Sequence, residues 1–438
     1  MKNKNFYKYL SLLLVVILAS CSNFTDGINE DPNNFTTAPG DLLIGQTNLA
    51  VVKMASSQNA RVAGMWTDQF CGCDRQYITL GNNYLTTSGD YDDDWNDIYA
   101  NGLAQAILAE QTGAESGDAL LEGVSQILQG MMIGEVAALW GDAPWTEALD
   151  LVNFPDPNYD SQTSLFEAAQ SLLSTGIANV GSASVAAAYG TPVYEPNNAL
   201  WSEIGHSLKA RYYLVTKNYP LALTEAQLGI SSRSGDLLSA HADATGAKNL
   251  FYQFVREQRE GYLTADNSHL YNIINGITAR VLNTPGDVNR KYFDGTELNT
   301  QADGYFAVDA SFPIISYYET KLIEAEAAHR TGGDALTPFN EVRTELAAQY
   351  GGSFPVSTSS GATLLEEILE EKYVTLIGST QVFHDVRRTN NLIGVPVKNT
   401  TQGNTTIPQR FLYPQTEVDS NSNFPGFVDL FEPTSVNQ

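Results

Sequence analysis

The chain is poor in positive charge: 24 lysines and arginines stand against 50 aspartates and glutamates, a formal charge of −26 over 438 residues. A nucleic-acid binder neutralises phosphates with a basic footprint, so nucleic acid is excluded as a partner. Docking on an anionic membrane surface is excluded for the same reason. Cysteine is scarce, three in all, too few for a disulfide framework. His206, His241, His269, His329 and His384 are scattered, with none at zinc-ligand spacing. The nucleophile elbow, the H-E-x-x-H helix, the Walker A loop and the dinucleotide fingerprint are all missing. No metal or cofactor is implied, and catalysis has no positive sign. With 43% hydrophobic and 10% aromatic residues, the chain is still no disordered acidic tail.

Long apolar runs are missing too. Leu10 to Leu18 is short, rising about 14 Å as a helix, roughly half a bilayer core. Preceded by Lys2, Lys4 and Lys8, it reads as a secretory signal over residues 1–20 and not a membrane span. It ends Leu18-Ala19-Ser20-Cys21, which resembles the lipobox of bacterial lipoproteins, where the cysteine is acylated and becomes the new N-terminus. An ordinary signal peptide with a chance cysteine is the alternative. Several acyl chains at about 0.8 kcal/mol per buried methylene make a stable anchor. Removal of residues 1–20 takes away three lysines and no acids, so the mature charge is 21 − 50 = −29. Residues 21–40 are polar and rich in turn formers, which suits a flexible tether.

From residue 41 onward helical periodicity dominates. Apolar stripes run through Asp90–Glu110, Asp118–Trp140, Ser161–Val180, Asn197–Lys217, Tyr317–Arg330, Asp334–Tyr350 and Thr363–Ile377. Tyr317 to Tyr350 reads as a helix hairpin turning at Thr331-Gly332-Gly333-Asp334. Leu322, Ala335 and Phe339 fall at tetratricopeptide positions, while the Trp, Gly and Tyr positions of that repeat do not match. Three or four degenerate repeats of this type are expected. The stretches 229–312 and 390–438 carry Pro, Gly and Asn and predict loops and short strands. The expected fold is mostly α: one helical domain over 41–438 with long loop-rich insertions. Trp95, Tyr99, Trp201 and Tyr212 sit on apolar stripes and read as core.

Cys71 and Cys73 are one residue apart, which reads as two free or partly buried thiols, with a vicinal-type disulfide as the alternative. Asp90, Asp92, Asp93 and Asp94 lack the EF-hand glycine and terminal glutamate and read as a charged helix start. A glycosidase needs two carboxylates about 5 to 9 Å apart, and 50 acids can always nominate a pair. Sugar binding asks for an aromatic face with amide, hydroxyl or guanidinium groups beside it. The loop from Cys71-Gly72-Cys73-Asp74-Arg75-Gln76-Tyr77 to Asn82-Asn83-Tyr84 has that mixture, and so does Arg290-Lys291-Tyr292-Phe293 to Gly304-Tyr305-Phe306.

Together these segments resemble the SusD/RagB family of outer-membrane nutrient-binding lipoproteins along nearly the whole chain. Beside the lipobox, the resemblance rests on Gly64-Met65-Trp66-Thr67-Asp68-Gln69 and on Trp95-Asn96-Asp97-Ile98-Tyr99 with Asn101. Leu139-Trp140-Gly141-Asp142-Ala143-Pro144-Trp145-Thr146-Glu147-Ala148 and Tyr318-Glu319 through Ala325-Glu326-Ala327 follow in order. Glu371-Lys372-Tyr373, Phe383-His384-Asp385-Val386-Arg387-Arg388 and Arg410-Phe411-Leu412-Tyr413-Pro414-Gln415-Thr416-Glu417 complete it. Phe383-His384 replaces the usual Trp-Phe, and Ser420-Asn421-Ser422-Asn423 replaces Asn-Pro-Asn; both touch scaffold. Asp385 with Arg387 and Arg388 reads as a helix-end ion network.

The resemblance implies a surface lipoprotein of the outer membrane, anchored at Cys21, that binds without catalysis. Such proteins form a lid over a TonB-dependent, SusC-like transporter and deliver oligosaccharide, or in some members peptide, to it. The family tends to place its ligand-facing aromatics in loops near 74–84 and 290–306, which makes Arg75, Tyr77, Tyr84, Tyr292 and Tyr305 the candidate ligand residues. A tethered glycan-active enzyme, or a helical-repeat protein that binds only peptide or protein, are the competing readings.

Overall fold

Helix caps stand where the periodic stripes begin. Asp118 Oδ1 accepts from the N–H groups of Leu120 and Leu121 at 3.1 and 3.0 Å, Ser161 Oγ from Ser164, and Ser316 Oγ from Glu319. Each satisfies donors that a helix N-terminus leaves orphaned. The computed structural model describes residues 38–438; the signal segment, Cys21 and the tether to residue 37 lie outside the described residues. Of the described residues 54% are helical and 5% lie in strands.

Among the described residues, the α-helices of eight residues or more are α1 (Gly40–Ser56), α2 (Gln58–Trp66), α3 (Ala104–Ser116), α4 (Ala119–Trp140), α5 (Gln162–Val180) and α6 (Trp201–Val215). After them come α7 (Tyr219–Ala226), α8 (Tyr317–Thr331), α9 (Leu336–Tyr350), α10 (Gly361–Thr375) and α11 (Thr380–Arg388). The stripe expected from Asp90 becomes a short helix, Asp92–Asn96, a π-helical turn, Asp97–Leu103, and then α3. Asp92, Asp93 and Asp94 occupy its first turn, as a charged helix start does.

Helix α4 is the axis of the body and is buried nearly throughout. Its glycines let neighbours approach closely: a Cβ on Gly134 would stand 2.3 Å from the Tyr212 ring, and one on Gly130 2.8 Å from Leu173. The predicted repeat hairpin is present as α8–α9, closed by Gly332 in the left-handed region. The α6–α7 pair packs its alanine-rich face on α8 through Ala210, Leu214, Ala222, Ala226, Ile323 and Ala327. Trp95, Tyr99, Trp201 and Tyr212 are all buried, as their stripes predict.

Strands are short and antiparallel. Sheets pair β1 (Cys71–Gly72) with β5 (Leu263–Thr264), β2 (Ala143–Pro144) with β3 (Tyr159–Asp160), β4 (Leu237–Ser239) with β8 (Phe312–Ile315), and β6 (Phe293–Asp294) with β7 (Glu297–Leu298). Strands β4 to β7 fall within 229–312 as expected, while β1, β2 and β3 lie in loops outside it. The stretch 390–438 forms turns and short helices, with no strand among the described residues. Buried ion pairs lock helices together. Arg388 on α11 forks onto Glu326 of α8 at 2.6 and 2.5 Å and also meets Asp385, which holds Lys372. The helix-end network read from the sequence therefore exists for Asp385 and Arg388. Arg387 is corrected: it joins no ion pair among the described residues and donates to backbone carbonyls and to His384. Glu371 of α10 gathers Arg280, Arg290 and Arg343. Among the described residues no helix is long and apolar enough to cross a membrane.

Candidate functional site

The loop after α2 folds most of its predicted ligand groups inward. Cys71 pairs with Thr264 and Gly72 with Leu263, and Cys71 is bonded to Cys73 as a disulfide. The expectation of two thiols is corrected. Gly72 between them turns so tightly that a Cβ would lie 2.1 Å from the Tyr77 carbonyl oxygen, and the two Cα atoms close to 5.5 Å, within disulfide reach.

Tyr77 is buried, stacked on Phe254 at 5.1 Å, and its hydroxyl accepts from Arg61 Nε. Tyr84 is 3% exposed; its hydroxyl accepts from the Lys398 N–H at 2.9 Å, and burial pushes its pKa up to about 12. Tyr292 is buried and Tyr305 half-buried, edge to face at 4.9 Å beside Arg290. Arg75 alone stays exposed, its guanidinium 5.9 Å from the Tyr262 ring centre. Tyr77, Tyr84 and Tyr292 thus lack the open ring face expected of them; Tyr77 is covered by Phe254 and Tyr262 and Tyr84 by Phe431, from segments distant in sequence. The five do not converge: Arg75 and Tyr77 surround Tyr262, Tyr292 and Tyr305 support each other, and Tyr84 faces elsewhere.

What Tyr84 faces is the better candidate. Its ring meets Phe431 at 6.1 Å, and Phe431 lines a cavity of about 410 Å³. That size is within the range of small-ligand pockets. Three segments build it: the end of α11 with Asn390 and Asn391, the loop from Val397 to Gln409, and Phe431 to Asn437. Asn390 and Asn391 both have positive φ, 51° and 54°, a conformation asparagine tolerates better than most residues. Asn391 clamps Val395 through its side chain in both directions at 2.8 Å. Lys398, hung from Tyr84 on its N–H, anchors the second segment with its ammonium on Asp68 at 2.9 Å.

The lining is amide and hydroxyl, with apolar Val386, Val397, Ile407 and Pro433 between. Gln409 Nε2 donates to Thr406 Oγ1 at 3.0 Å, leaving the Thr406 hydroxyl hydrogen to donate onward. Asn437 Oδ1 is buried without a partner. No carboxylate lines the cavity, in a chain with 50 of them.

One charged group lines it, Arg387 at 3% exposure. Its Nη1 donates to the Gln409 carbonyl at 2.7 Å, Nη2 to Ala138 O at 2.8 Å and to His384 Nδ1 at 2.5 Å, and Nε to Phe383 O at 3.2 Å. Since a guanidinium only donates, His384 Nδ1 accepts, and the neutral ring carries its proton on Nε2, which faces Glu135 at 3.0 Å. Burial would raise Glu135, but His384, the charge of Arg211 and the Thr380 hydroxyl hold it down near about 2. Burial lowers Arg387 to about 9, and nearby Arg410 adds to the depression.

Sequence reasoning missed this site because no periodicity or motif joins residues 386–391, 397–409 and 431–437. The one available signal was compositional: asparagine, threonine and glutamine crowd a stretch with no helical stripe.

Residues 32–245 match the SusD-like family described as starch-binding, associating with the outer membrane. The whole described fold is similar to a SusD/RagB family protein of Bacteroides thetaiotaomicron, with TM-score 0.69 and 18% identity over 92% of this chain and 99% of that one. It is similar to a SusD homologue of Bacteroides fragilis, with TM-score 0.68 and 17% identity over 92% and 100%. A chitin-binding protein gives TM-score 0.66 and 19% identity over 90% and 99%. No curated protein matches the chain in sequence. The cavity lies outside residues 32–245.

Proposed function

We propose, for a chain that is SusD-like by sequence family and by fold, that it is a surface lipoprotein of the outer membrane that binds oligosaccharide and passes it to a TonB-dependent, SusC-like transporter. Acyl chains on Cys21 hold it to the membrane, and binding involves no chemistry on the ligand.

The observation that carries this reading is the cavity beside Phe431. Sugars present hydroxyls that both donate and accept, with an apolar C–H face between them. Asn390, Thr405, Thr406, Gln409 and Asn437 offer donors and acceptors of matching kind, and Phe431 offers a ring. With no carboxylate in the lining, the cavity lacks the acid and nucleophile or base of a glycosidase; that favours binding over the tethered-enzyme alternative. A chitin-binding protein of the same fold is consistent with a saccharide ligand.

Calorimetric titration of the purified protein with a panel of oligosaccharides tests the reading, with chromatography of each mixture for products. Saturable binding without turnover is expected, weakened about tenfold or more in Phe431→Ala. Turnover would establish an enzyme, and binding unchanged in Phe431→Ala would move the site elsewhere. Co-purification from outer membranes with a barrel transporter tests the delivery step.

A further inference from the structure

The cavity beside Phe431 has an electrostatic asymmetry that a neutral sugar does not use. Two guanidinium groups stand at its inner side, Arg387 in the lining and Arg410 close behind, and neither pairs directly with a carboxylate among the described residues. Both instead bind carbonyls at the end of α4: Arg387 that of Ala138, at 2.8 Å, and Arg410 that of Trp140. Arg410 Nε is buried with no partner at all. A helix C-terminus presents about half a negative charge, so two full positive charges there are only partly compensated. Glu135 acts on Arg387 across the intervening neutral ring of His384, without touching it.

Three acids close in sequence to lining residues are engaged or stay out of the lining. Asp385 is held by Lys372 at 3.0 Å and Arg388 at 2.6 Å. Asp429 accepts from the Phe431 N–H at 2.9 Å, and neither it nor exposed Glu432 lines the cavity. The large negative charge of the rest of the chain is screened beyond about 8 Å at physiological ionic strength. Arg387 makes four donations, two through Nη2, one through Nε and one through Nη1. A guanidinium carries five N–H groups, so one on Nη1, the nitrogen bonded to the lining residue Gln409, remains for a ligand.

We infer that the unit seated in this cavity is an acidic sugar, a uronate whose carboxylate lies toward Arg387 while its hydroxyls meet Asn390, Thr405, Thr406 and Asn437. The inference rests on the oligosaccharide reading above and narrows it from neutral to acidic saccharides.

Methyl esterification provides the test, because it keeps every sugar hydroxyl and replaces the carboxylate by a neutral ester larger by one methyl. Di- to tetrasaccharides of galacturonate, glucuronate and mannuronate are titrated into the purified protein, each beside its methyl ester and beside neutral maltotriose, at 50 and 500 mM NaCl. At least one uronate is expected to bind tenfold or more tighter than its own ester, with the advantage shrinking at high salt. In Thr405→Glu, a change at an exposed rim position, the ratio of acid to ester should fall towards one with the melting temperature unchanged. Binding of esters or maltotriose as tight as that of every acid would overturn the inference and leave the oligosaccharide reading standing. Saturation by an acidic peptide, with no saccharide bound, would overturn both. So would the absence of binding by any saccharide.

Discussion

Replacing Tyr84 separates a wall that supports the site from a ring that touches ligand. The side chain is 3% exposed, so truncation to alanine leaves a cavity and should cost about 3–5 kcal/mol. Unfolding entropy near 2.1 cal/mol/K per residue over roughly 400 residues gives about 0.8 kcal/mol/K, so the melting temperature should fall by about 4–6 °C if unfolding is two-state. Tyr84→Phe keeps the ring and its contact with Phe431 but leaves the Lys398 N–H, now 2.9 Å from the hydroxyl, without an acceptor. That costs about 1 kcal/mol, or roughly 1 °C. Binding should weaken in Tyr84→Ala, because Phe431 loses its edge contact at 6.1 Å, and should hold within about twofold in Tyr84→Phe. Scanning calorimetry with and without saturating oligosaccharide reads both quantities. A Tyr84→Ala protein that melts like the parent but no longer binds would refute the reasoning, since the ring would then be a ligand contact and not buried support.

Three other perturbations test the scaffold. Glu371→Gln removes the anion shared by the buried side chains of Arg280, Arg290 and Arg343. Asp287 and Glu370 stay on Arg280 and Asp287 on Arg290, but Arg343 is left with no carboxylate among the described residues. That should cost about 3–5 kcal/mol in denaturant unfolding, and a loss below about 1 kcal/mol would refute it. The Cys71–Cys73 bond should appear as one unreduced peptide in mass spectrometry. Removing it as Cys71→Ser with Cys73→Ser should cost only about 1.5–2 kcal/mol, because the closed loop is so short. Burial pushes Asp94 up to about 7, above its unfolded value near 3.9, so its folded form favours the proton. The resulting stability is fully present below about pH 4 and lost as pH rises to about 7. Asp94→Asn should flatten that fall in a series of melting temperatures, and an unchanged slope would place the titration elsewhere.

The helical scaffold could be read from the chain because its determinants are local. Caps such as Asp118, Ser161 and Ser316, and apolar residues recurring at helical spacing, act within a few residues, and the hairpin turn at Gly332 needs only a left-handed backbone. The loops obey no such period. Nothing near Tyr77 in sequence reveals that Phe254 stacks on it, or near Tyr84 that Lys398 and Phe431 close over it; those partners lie far along the chain. A tyrosine in a loop fits recognition surface or half-buried packing by sequence alone; here the Tyr77 and Tyr84 rings pack inward and their hydroxyls accept from a guanidinium and a backbone N–H. Cys71 and Cys73 were legible as a pair but not as a bond, which depends on the turn at Gly72 against the Tyr77 carbonyl.

The arginines that shape the cavity also explain how an irregular segment holds a defined site. A loop of this length has little internal structure to fix it, yet the stretch around residues 409–413 is registered on the end of α4 at several points. Phe411 N–H donates to Leu139 O at 2.9 Å, and Trp140 Nε1 donates to Leu412 O at 2.9 Å. Arg410 and Arg387 take the Trp140 and Ala138 carbonyls. These are the carbonyls that a helix C-terminus leaves unpaired, so the segment completes the helix while the helix orders the segment. Of these two charges, Arg387 also lines the cavity. On the acidic-sugar proposal Arg387, the charged residue of the lining, serves both closure and recognition, so substitutions of Arg387 would confound stability with binding. A rim position such as Thr405, outside the closure, is the place where specificity can be altered without loosening the fold.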